Sequence, residues 1–409
     1  VALEFFEKMQ GEGISANEVS FLCILQACAS ENATKEGREI HAEIYKRGLL
    51  EMSSSLGNTL VLMYADCGLL KEAQEVFNHL IPDAVSWTAL MGGYINYGYG
   101  EKALNCFNQM QNERVALDDI AYVCCLNACA SLGALDQGQE IHAEISCKGL
   151  VITHIEVGNA LVDMYAKCGM FIEAKKVIND LPMHDTVSWN AIITGYVKHN
   201  QGEAALCLFE KMQEEDVPVD VVTLICGVKA CGMLAAFEKG RTLHDAISKR
   251  GFLEKDLIGN SLIAMYAMCG VLPNAIEVFE KIPVRDVVSW TLLIIGYAQL
   301  GETDQVFHLF DRMREDVQDP NLITFIGVLN ACSHGGLVKD GEKFFDEMCW
   351  VFCLPPSQEH YTCMIDLCCR AGYFDKVKDL VEKVSPSDCL PFFTTILGAC
   401  RKWRNVNLG

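Results

Sequence analysis

IEVGNALVDMYAKCGMFIEAKKVINDLPMHD (Ile155–Asp185), followed directly by TVSWNAIITGYVKHNQGEAALCLFEKMQEEDVPVD (Thr186–Asp220), decides the fold. Each half carries two apolar stripes. In the first half Ala160, Leu161, Met164, Tyr165 and Cys168 fall at i, i+1, i+4, i+5 and i+8. Ala174, Val177, Ile178 and Leu181 follow at i, i+3, i+4 and i+7, so both stripes have the period of amphipathic helices. Gly169 stands where a glycine just past a helix C-terminus is expected. Pro182 is expected to stop the second helix, with Pro82 and Pro283 at the same phase.

Close relatives of this stretch recur along the chain. Gly-Asn occurs at Gly57-Asn58, Gly158-Asn159 and Gly259-Asn260, and Met63, Met164 and Met265 each open an MYA. Trp87, Trp189 and Trp290 each close a VSW. The steps are 101 or 102 residues, and each step divides into units of roughly 35, 36 and 31 residues with two helical segments apiece. The full units run 18–53, 54–83, 84–118, 119–154, 155–185, 186–220, 221–255, 256–286 and 287–321. A variant pair follows at 322–357 and 358–389; residues 1–17 are the second half of a unit, and 390–409 begin another. One unit leaves an apolar side open, and its neighbours close it. The expected fold is therefore an all-α solenoid of antiparallel helix–turn–helix repeats, with small residues such as Ala103 and Ala205 at close helix contacts.

Composition narrows the function classes. The 409 residues are 51% hydrophobic, ordinary for helices buried on two sides, and no apolar run reaches a membrane span. The chain opens inside a unit, with no signal or transit peptide, and reads as truncated at both ends. The 21 cysteines follow the repeat phase, as in Cys67, Cys168 and Cys269, or Cys28, Cys129, Cys231 and Cys332. Same-phase cysteines lie a repeat apart, so buried thiols in a reducing compartment explain them better than disulfides. No C-x-x-C occurs, which argues against structural zinc. The net charge of -21 argues against an indiscriminate nucleic-acid binder but leaves room for a local basic strip.

SWTALMGGY, SWNAIITGY and SWTLLIIGY lack the W-x2-L-G-x2-Y of tetratricopeptide repeats and resemble the P-type pentatricopeptide motif. NALVDMYAKCG resembles the short S-type motif, and LNACASLGALDQGQEIHAEI the long L-type motif. ITFIGVLNACSHGGLVKDGEKFFDEM and EHYTCMIDLCCRAG resemble the variant L and S repeats that end such arrays, and TTILGACRKWRNVNLG the start of an E-type tail. Essentially the whole chain resembles the PLS subclass of plant pentatricopeptide repeat proteins. The resemblance implies a right-handed superhelical solenoid: a partial P-type repeat at 1–17, a P-L-S array at 18–321, terminal variants at 322–389 and the tail from 390.

In that family each repeat reads one RNA base with two side chains, at the fifth position of the first helix and at the last position of the repeat. The resemblance gives the pairs Asn58 with Asp83, Thr88 with Asp118, Asn159 with Asp185, Asn190 with Asp220, Asn260 with Asp286, and Thr291 with Asn321. It implies U for Asn with Asp, G for Thr with Asp and A for Thr with Asn, hence 5′-U-G-x-U-U-x-U-A-3′ with x facing L-type repeats. Read without the family, the same residues are good helix caps and turn formers. Leu22, Val123, Ile225 and Ile326 hold the fifth phase of the L-type units and are poor caps, so a polar residue there is expected to be free for a ligand. Val85, Val187, Leu257 and Val288 match the family's apolar second position, which sandwiches bases, whereas Ser55 and Glu156 depart from it. Lys167, Lys198 and Arg370 match a position associated with phosphates, where Asp66, Asn96, Met268 and Gln299 stand elsewhere. So thin a basic line implies modest or strongly salt-sensitive affinity.

His41-Ala42-Glu43 and His142-Ala143-Glu144 read H-x-E, half of a zinc deaminase signature, but the P-C-x-x-C half is missing. Their recurrence at one repeat phase, with His244 in the third copy, marks them as packing residues. No other catalytic, metal or cofactor constellation is present, and the chain is expected not to be an enzyme. The resemblance implies a specificity factor for organellar C-to-U RNA editing. Its expected partners are single-stranded RNA, multiple organellar RNA editing factor proteins on the L-type repeats, and a DYW-type deaminase supplied in trans. The implied location is the mitochondrion, with the chloroplast as alternative. A protein-binding helical scaffold, favoured by the acidity, stays open.

Overall fold

In a computed structural model of the chain, residues 2–252 and 256–382 are described, and the elements among them are all α-helices. The tail expected from residue 390 lies outside the described residues. The chain divides into two compact units, Val1–His199 and Asn200–Gly409.

In the first unit α1 (Ala2–Gly11) precedes the pairs α2 (Glu18–Glu31) with α3 (Thr34–Lys46), α4 (Ser54–Asp66) with α5 (Leu70–Asn78), and α6 (Ala84–Asn96) with α7 (Gly100–Asn112). The pair α8 (Asp119–Leu132) with α9 (Leu135–Cys147) follows, then the short α10 (Leu150–Thr153), α11 (Ile155–Lys167) with α12 (Phe171–Asp180), and α13 (Thr186–Lys198). First helices pack in series, α2 on α4, α4 on α6, α6 on α8, α8 on α11 and α11 on α13. Second helices α3, α5, α7 and α12 each pack on their own first helix and on the next one.

The second unit opens on α14 (Gly202–Glu214), followed by α15 (Val221–Met233) with α16 (Phe237–Lys249), and α17 (Asp256–Met268) with α18 (Leu272–Lys281). Then come α19 (Val287–Gln299) with α20 (Thr303–Glu315), α21 (Leu322–Gly335) with α22 (Val338–Trp350), and α23 (Gln358–Ala371) with α24 (Phe374–Glu382). The same serial packing joins α15, α17, α19, α21 and α23. The two helices of a pair are joined by a few residues, which makes them antiparallel neighbours. Gly169 closes α11 with φ +78°, and the Met170 N–H bonds back to the Tyr165 carbonyl at 2.9 Å, the expected left-handed terminus. Pro182 follows α12 closely, but α5 already ends at Asn78, four residues before Pro82, so that proline does not stop it.

The fourth residue of the first helix shows how adjacent units interlock. It is tryptophan in α6, α13 and α19 and glycine in α4, α11 and α17. Trp87 and Trp290 are buried edge-on against Phe77 and Phe279 of the preceding second helix, with ring centroids 4.5 and 4.6 Å apart. At the glycines the space is already filled: a Cβ on Gly57, Gly158 or Gly259 would lie 2.4, 2.3 or 2.5 Å from Leu80, Leu181 or Ile282. The interior is completed by Ala103, Ala205 and the thiols of Cys28, Cys129, Cys231 and Cys332, all fully buried. Burial pushes the thiols of Cys28 and Cys231 up to about 11 and that of Cys332 to about 12, so they stay protonated and behave as small apolar groups.

The three histidines of the H-x-E phase are packing residues. His41, His142 and His244 share hydrogen bonds through Nδ1 with the hydroxyls of Tyr64, Tyr165 and Tyr266 on the next first helix, at 2.9, 2.8 and 2.8 Å. Their supposed partners are engaged elsewhere: Glu43 pairs with Arg47 and Glu144 with Lys148. Among the described residues no cluster of three or more potential metal ligands occurs. Burial lowers the pKa of all three histidines and of His360, whose ring is wholly enclosed in α23.

Two outcomes follow for stability. Gly158→Ala forces Leu181 aside and should lower the urea midpoint by the equivalent of about 1–3 kcal/mol. Below their usual pKa near 6.5 the unfolded histidines take up protons that the buried rings resist. Stability should therefore fall as pH drops from 7 through 6, levelling only below the lowered folded values. Urea midpoints across pH 5–8 should show this, with a smaller slope in His142→Gln.

Candidate nucleic-acid interface

Asn58, Thr88, Asn159, Asn190, Asn260 and Thr291 are each the fifth residue of a first helix, one turn inside it. They are not caps, which corrects the capping alternative for these positions. It also removes the force of the comparison with Leu22, Val123, Ile225 and Ile326, because those too lie inside helices that begin four residues earlier. The caps are the residues before each helix. Asp83, Asp118, Asp185, Asp220, Asp286 and Asn321 are the N-caps of α6, α8, α13, α15, α19 and α21. Each accepts the N–H three residues on, and capping fully explains why a short polar residue stands there. It does not exhaust what those side chains do.

Three Asn–Asp pairs are brought together. The Asn58 amide donates to both carboxylate oxygens of Asp83, at 3.0 and 2.9 Å. Asn159 reaches Asp185 at 3.3 and 3.1 Å, and Asn260 reaches Asp286 at 3.4 and 3.4 Å. A carboxylate only accepts, so it fixes which end of the amide turns toward it. The carbonyl oxygen is left over. Asn159 Oδ1 and Asn260 Oδ1 are buried and have no partner, an arrangement that a donor on a ligand would relieve. Burial works against the charge of Asp83. The Ser86 N–H, the Asn58 amide and the Ser86 hydroxyl outweigh it, so the pKa falls and the acceptor persists.

The threonine pairs differ. Thr88 donates to the Val85 carbonyl at 3.1 Å, Asp118 accepts the Ala121 N–H at 2.8 Å, and Thr88 and Asp118 do not bond each other. Thr291 and Asn321 are joined indirectly. Thr291 Oγ1 lies 2.7 Å from Thr324 Oγ1, which donates to Asn321 Oδ1 at 3.0 Å. Asn190 stands in α13 of the first unit, and Asp220 caps α15 of the second, accepting the Thr223 N–H at 2.9 Å.

One turn before each fifth residue, the second residue lies on the same helix face. Val85, Val187, Leu257 and Val288 are all exposed there, at 58, 58, 72 and 49%, an unusual state for apolar side chains in so regular a place. Val19, Ile120, Val222 and Ile323, the second residues of α2, α8, α15 and α21, are also exposed and were missed although their phase is legible. Ser55 and Glu156 interrupt it. Lys167, Lys198 and Arg370 lie in the last turns of α11, α13 and α23, where the helix dipole favours cations. Lys167 is paired with Asp163 and Arg370 with Asp366, each at 2.7 Å. Such exposed pairs are worth at most about 1 kcal/mol and yield readily to a phosphate. Helices α6, α19 and α21 carry no charged residue at all.

Comparison with known proteins identifies the repeats. The PPR repeat family matches residues 82–131, 184–232 and 285–334, and the PPR repeat matches 58–81, 159–185, 260–287, 323–350 and 359–384. A pentatricopeptide repeat-containing protein of Arabidopsis thaliana is 34% identical over 404 residues, covering 98% of this chain and 71% of the relative. The chain belongs to the pentatricopeptide repeat family.

Another Arabidopsis relative is 35% identical across 100% of this pentatricopeptide repeat chain and 64% of its own length, and one named as mitochondrial is 33% identical across 100% and 59%. The chain thus spans about 60% of several of the curated relatives it matches. Among solved structures, the pentatricopeptide repeat protein PPR10 from maize superposes with a TM-score of 0.60 at 15% identity, over 98% of this chain and 69% of that one. PPR10 in complex with an 18-nt psaJ RNA element superposes with a TM-score of 0.69 at 16% identity, over 98% and 64%. At that identity the likeness speaks to the fold.

Asp185→Ala should cost roughly 1–2 kcal/mol through the lost cap, read as a lower urea midpoint. Asp185→Ser should recover most of that loss while leaving the Asn159 amide without its carboxylate.

Proposed function

We propose that this chain binds single-stranded RNA in sequence-specific fashion, one base per repeat, along the row of first helices. The observation that carries this reading is the Asn–Asp pair with its oriented amide and unpartnered carbonyl oxygen, repeated at Asn159 and Asn260. Such an amide offers an acceptor beside a remaining N–H, complementary to the N3–H and carbonyl of uracil. Thr88 has spent its proton on Val85, so beside the acceptor Asp118 it offers a second acceptor. Guanine, with N1–H and N2–H₂ side by side, supplies two donors. Thr291 with Asn321 offers an acceptor and an amide donor, the complement of adenine's N6–H₂ and N1. The exposed apolar second residues would lie against the base faces, a contact every base can make. These patterns support the core 5′-UGxUUxUA-3′, with Asn190 and Asp220 assigned to U by analogy.

The alternation of unit lengths supports placing the chain in the PLS subclass, as a site-recognition factor for C-to-U editing of organellar transcripts. In this proposal the chain selects the site. A DYW-type deaminase carries out the chemistry, multiple organellar RNA editing factor proteins are further partners, and the mitochondrion is the location. The family knowledge of PLS proteins and one relative named as mitochondrial support this finer reading.

Binding of an oligonucleotide carrying UGxUUxUA should exceed that of one with its G and A exchanged by about tenfold or more, taking about 1–3 kcal/mol per misread base. Three cationic contacts predict a slope of about −2 for log K against log salt concentration. Fluorescence anisotropy at several salt concentrations measures both. Equal binding of the two RNAs would reject the base assignments, and no binding at low salt would favour a protein-binding scaffold, the function the charge of -21 suits.

A further inference from the structure

The third residue of α6, α8, α13, α15, α19 and α21 is wholly buried, and it takes three forms. In α6, α13 and α19 it is serine, and the hydroxyls of Ser86, Ser188 and Ser289 donate to the backbone carbonyl of the capping aspartate at 2.9, 2.8 and 2.8 Å. In α15 and α21 it is threonine, and Thr223 and Thr324 donate to the cap's side-chain oxygen at 2.8 and 3.0 Å. In α8 it is Ala121, with no hydroxyl to offer. The cap side chains are the last-position residues of the preceding repeats. What the third residue does to them therefore bears on what they can present to a ligand.

On the RNA reading above, we propose that Thr324 is a specificity-determining positioning residue for the base that faces Thr291 and Asn321. Thr324 is wholly buried and cannot touch RNA itself. It acts through its two neighbours. Asn321 Oδ1 accepts both the Thr324 N–H at 2.9 Å and the Thr324 hydroxyl at 3.0 Å. Two donors on one oxygen fix the amide so that its NH₂ end turns away from α21. Without the hydroxyl one donor remains, and the amide is held less firmly. On the other side Thr291 Oγ1 lies 2.7 Å from Thr324 Oγ1 and 2.7 Å from the Val287 carbonyl. Its proton goes to one of these two oxygens, leaving lone pairs for the ligand. Thr324 thus holds an acceptor and a donor in the order that matches adenine and opposes guanine, whose N1–H would meet the amide NH₂. The Thr88–Asp118 pair, lying over Ala121, has no such link and keeps two acceptors.

The test is binding of Thr324→Val and Thr324→Ala chains to oligonucleotides that differ only in the base opposite this repeat. Both variants keep the backbone N–H bond to the Asn321 cap. The expected result is an adenine-over-guanine preference at least fivefold smaller than in the unaltered chain. The uracil preference opposite Asn159 should be unchanged in the same preparations, which shows that they are folded. Thr324→Ser should retain the adenine preference, since Ser20, which like residue 324 lies third behind an asparagine cap, donates to Asn17 Oδ1 at 2.8 Å. A purely structural role would weaken binding to all RNAs by one common factor with the preference intact, and that result would overturn the proposal. An unaltered chain that does not distinguish adenine from guanine at this position would overturn the base-reading assignment itself, and this inference with it.

Discussion

At three repeat junctions one side chain does two things. Asp83, Asp185 and Asp286 satisfy the free N–H groups at the start of the next first helix and simultaneously hold the amide of an asparagine from the repeat before. A helix start without a cap loses roughly 1 kcal/mol, so the stacked fold keeps an aspartate there whether or not a ligand is present. The capping geometry is the same each time, with φ near −100° and ψ near 180°, which sets the carboxylate in one place relative to the helix row. The asparagine therefore inherits its orientation from a structural necessity. Its carbonyl is directed by the fold itself, so on the proposed reading binding need not spend free energy on ordering it.

Spacing between readers is set by the packing beneath them. Where Trp87 and Trp290 fill the fourth position, the preceding second helix supplies a phenylalanine edge, while Trp189 meets the His184 ring; where glycine stands, the leucine or isoleucine just past the unit's own second helix fills the space. The two solutions occupy similar space with opposite partners, and they account for the alternation of Gly-Asn with Trp-Thr and Trp-Asn. The His–Tyr bonds tie α3, α9 and α16 to the next first helix at three corresponding places. Polar bonds and apolar contacts thus both hold neighbouring units together.

Charge has a subordinate part. With only Lys167, Lys198 and Arg370 in the phosphate phase and a net charge of -21, long-range attraction to RNA is weak. On the proposed reading, recognition then depends on contacts that require the right base: hydrogen bonds at the fifth and last positions and apolar contact from the second. Such a surface favours discrimination over tight indiscriminate binding.

The repeat period, the helix pairs, the glycine terminus at Gly169 and the phase of the candidate readers were all legible in the sequence, because stripes at helical spacing and recurring motifs are local signals. The sequence also sufficed to set aside the H-x-E motifs, since a catalytic pair does not recur at one phase. Helix starts were less legible. Asn58 and its counterparts resemble caps by residue type, and only the backbone shows that the cap lies five residues earlier, at Ser53 for α4. The Asn–Asp bonds, the link from Thr291 through Thr324 to Asn321 and the full row of exposed second residues depend on contacts between units about 25–33 residues apart. Such contacts exist only once the stack has formed, because the sequence names the donors and acceptors while helix packing decides which of them meet.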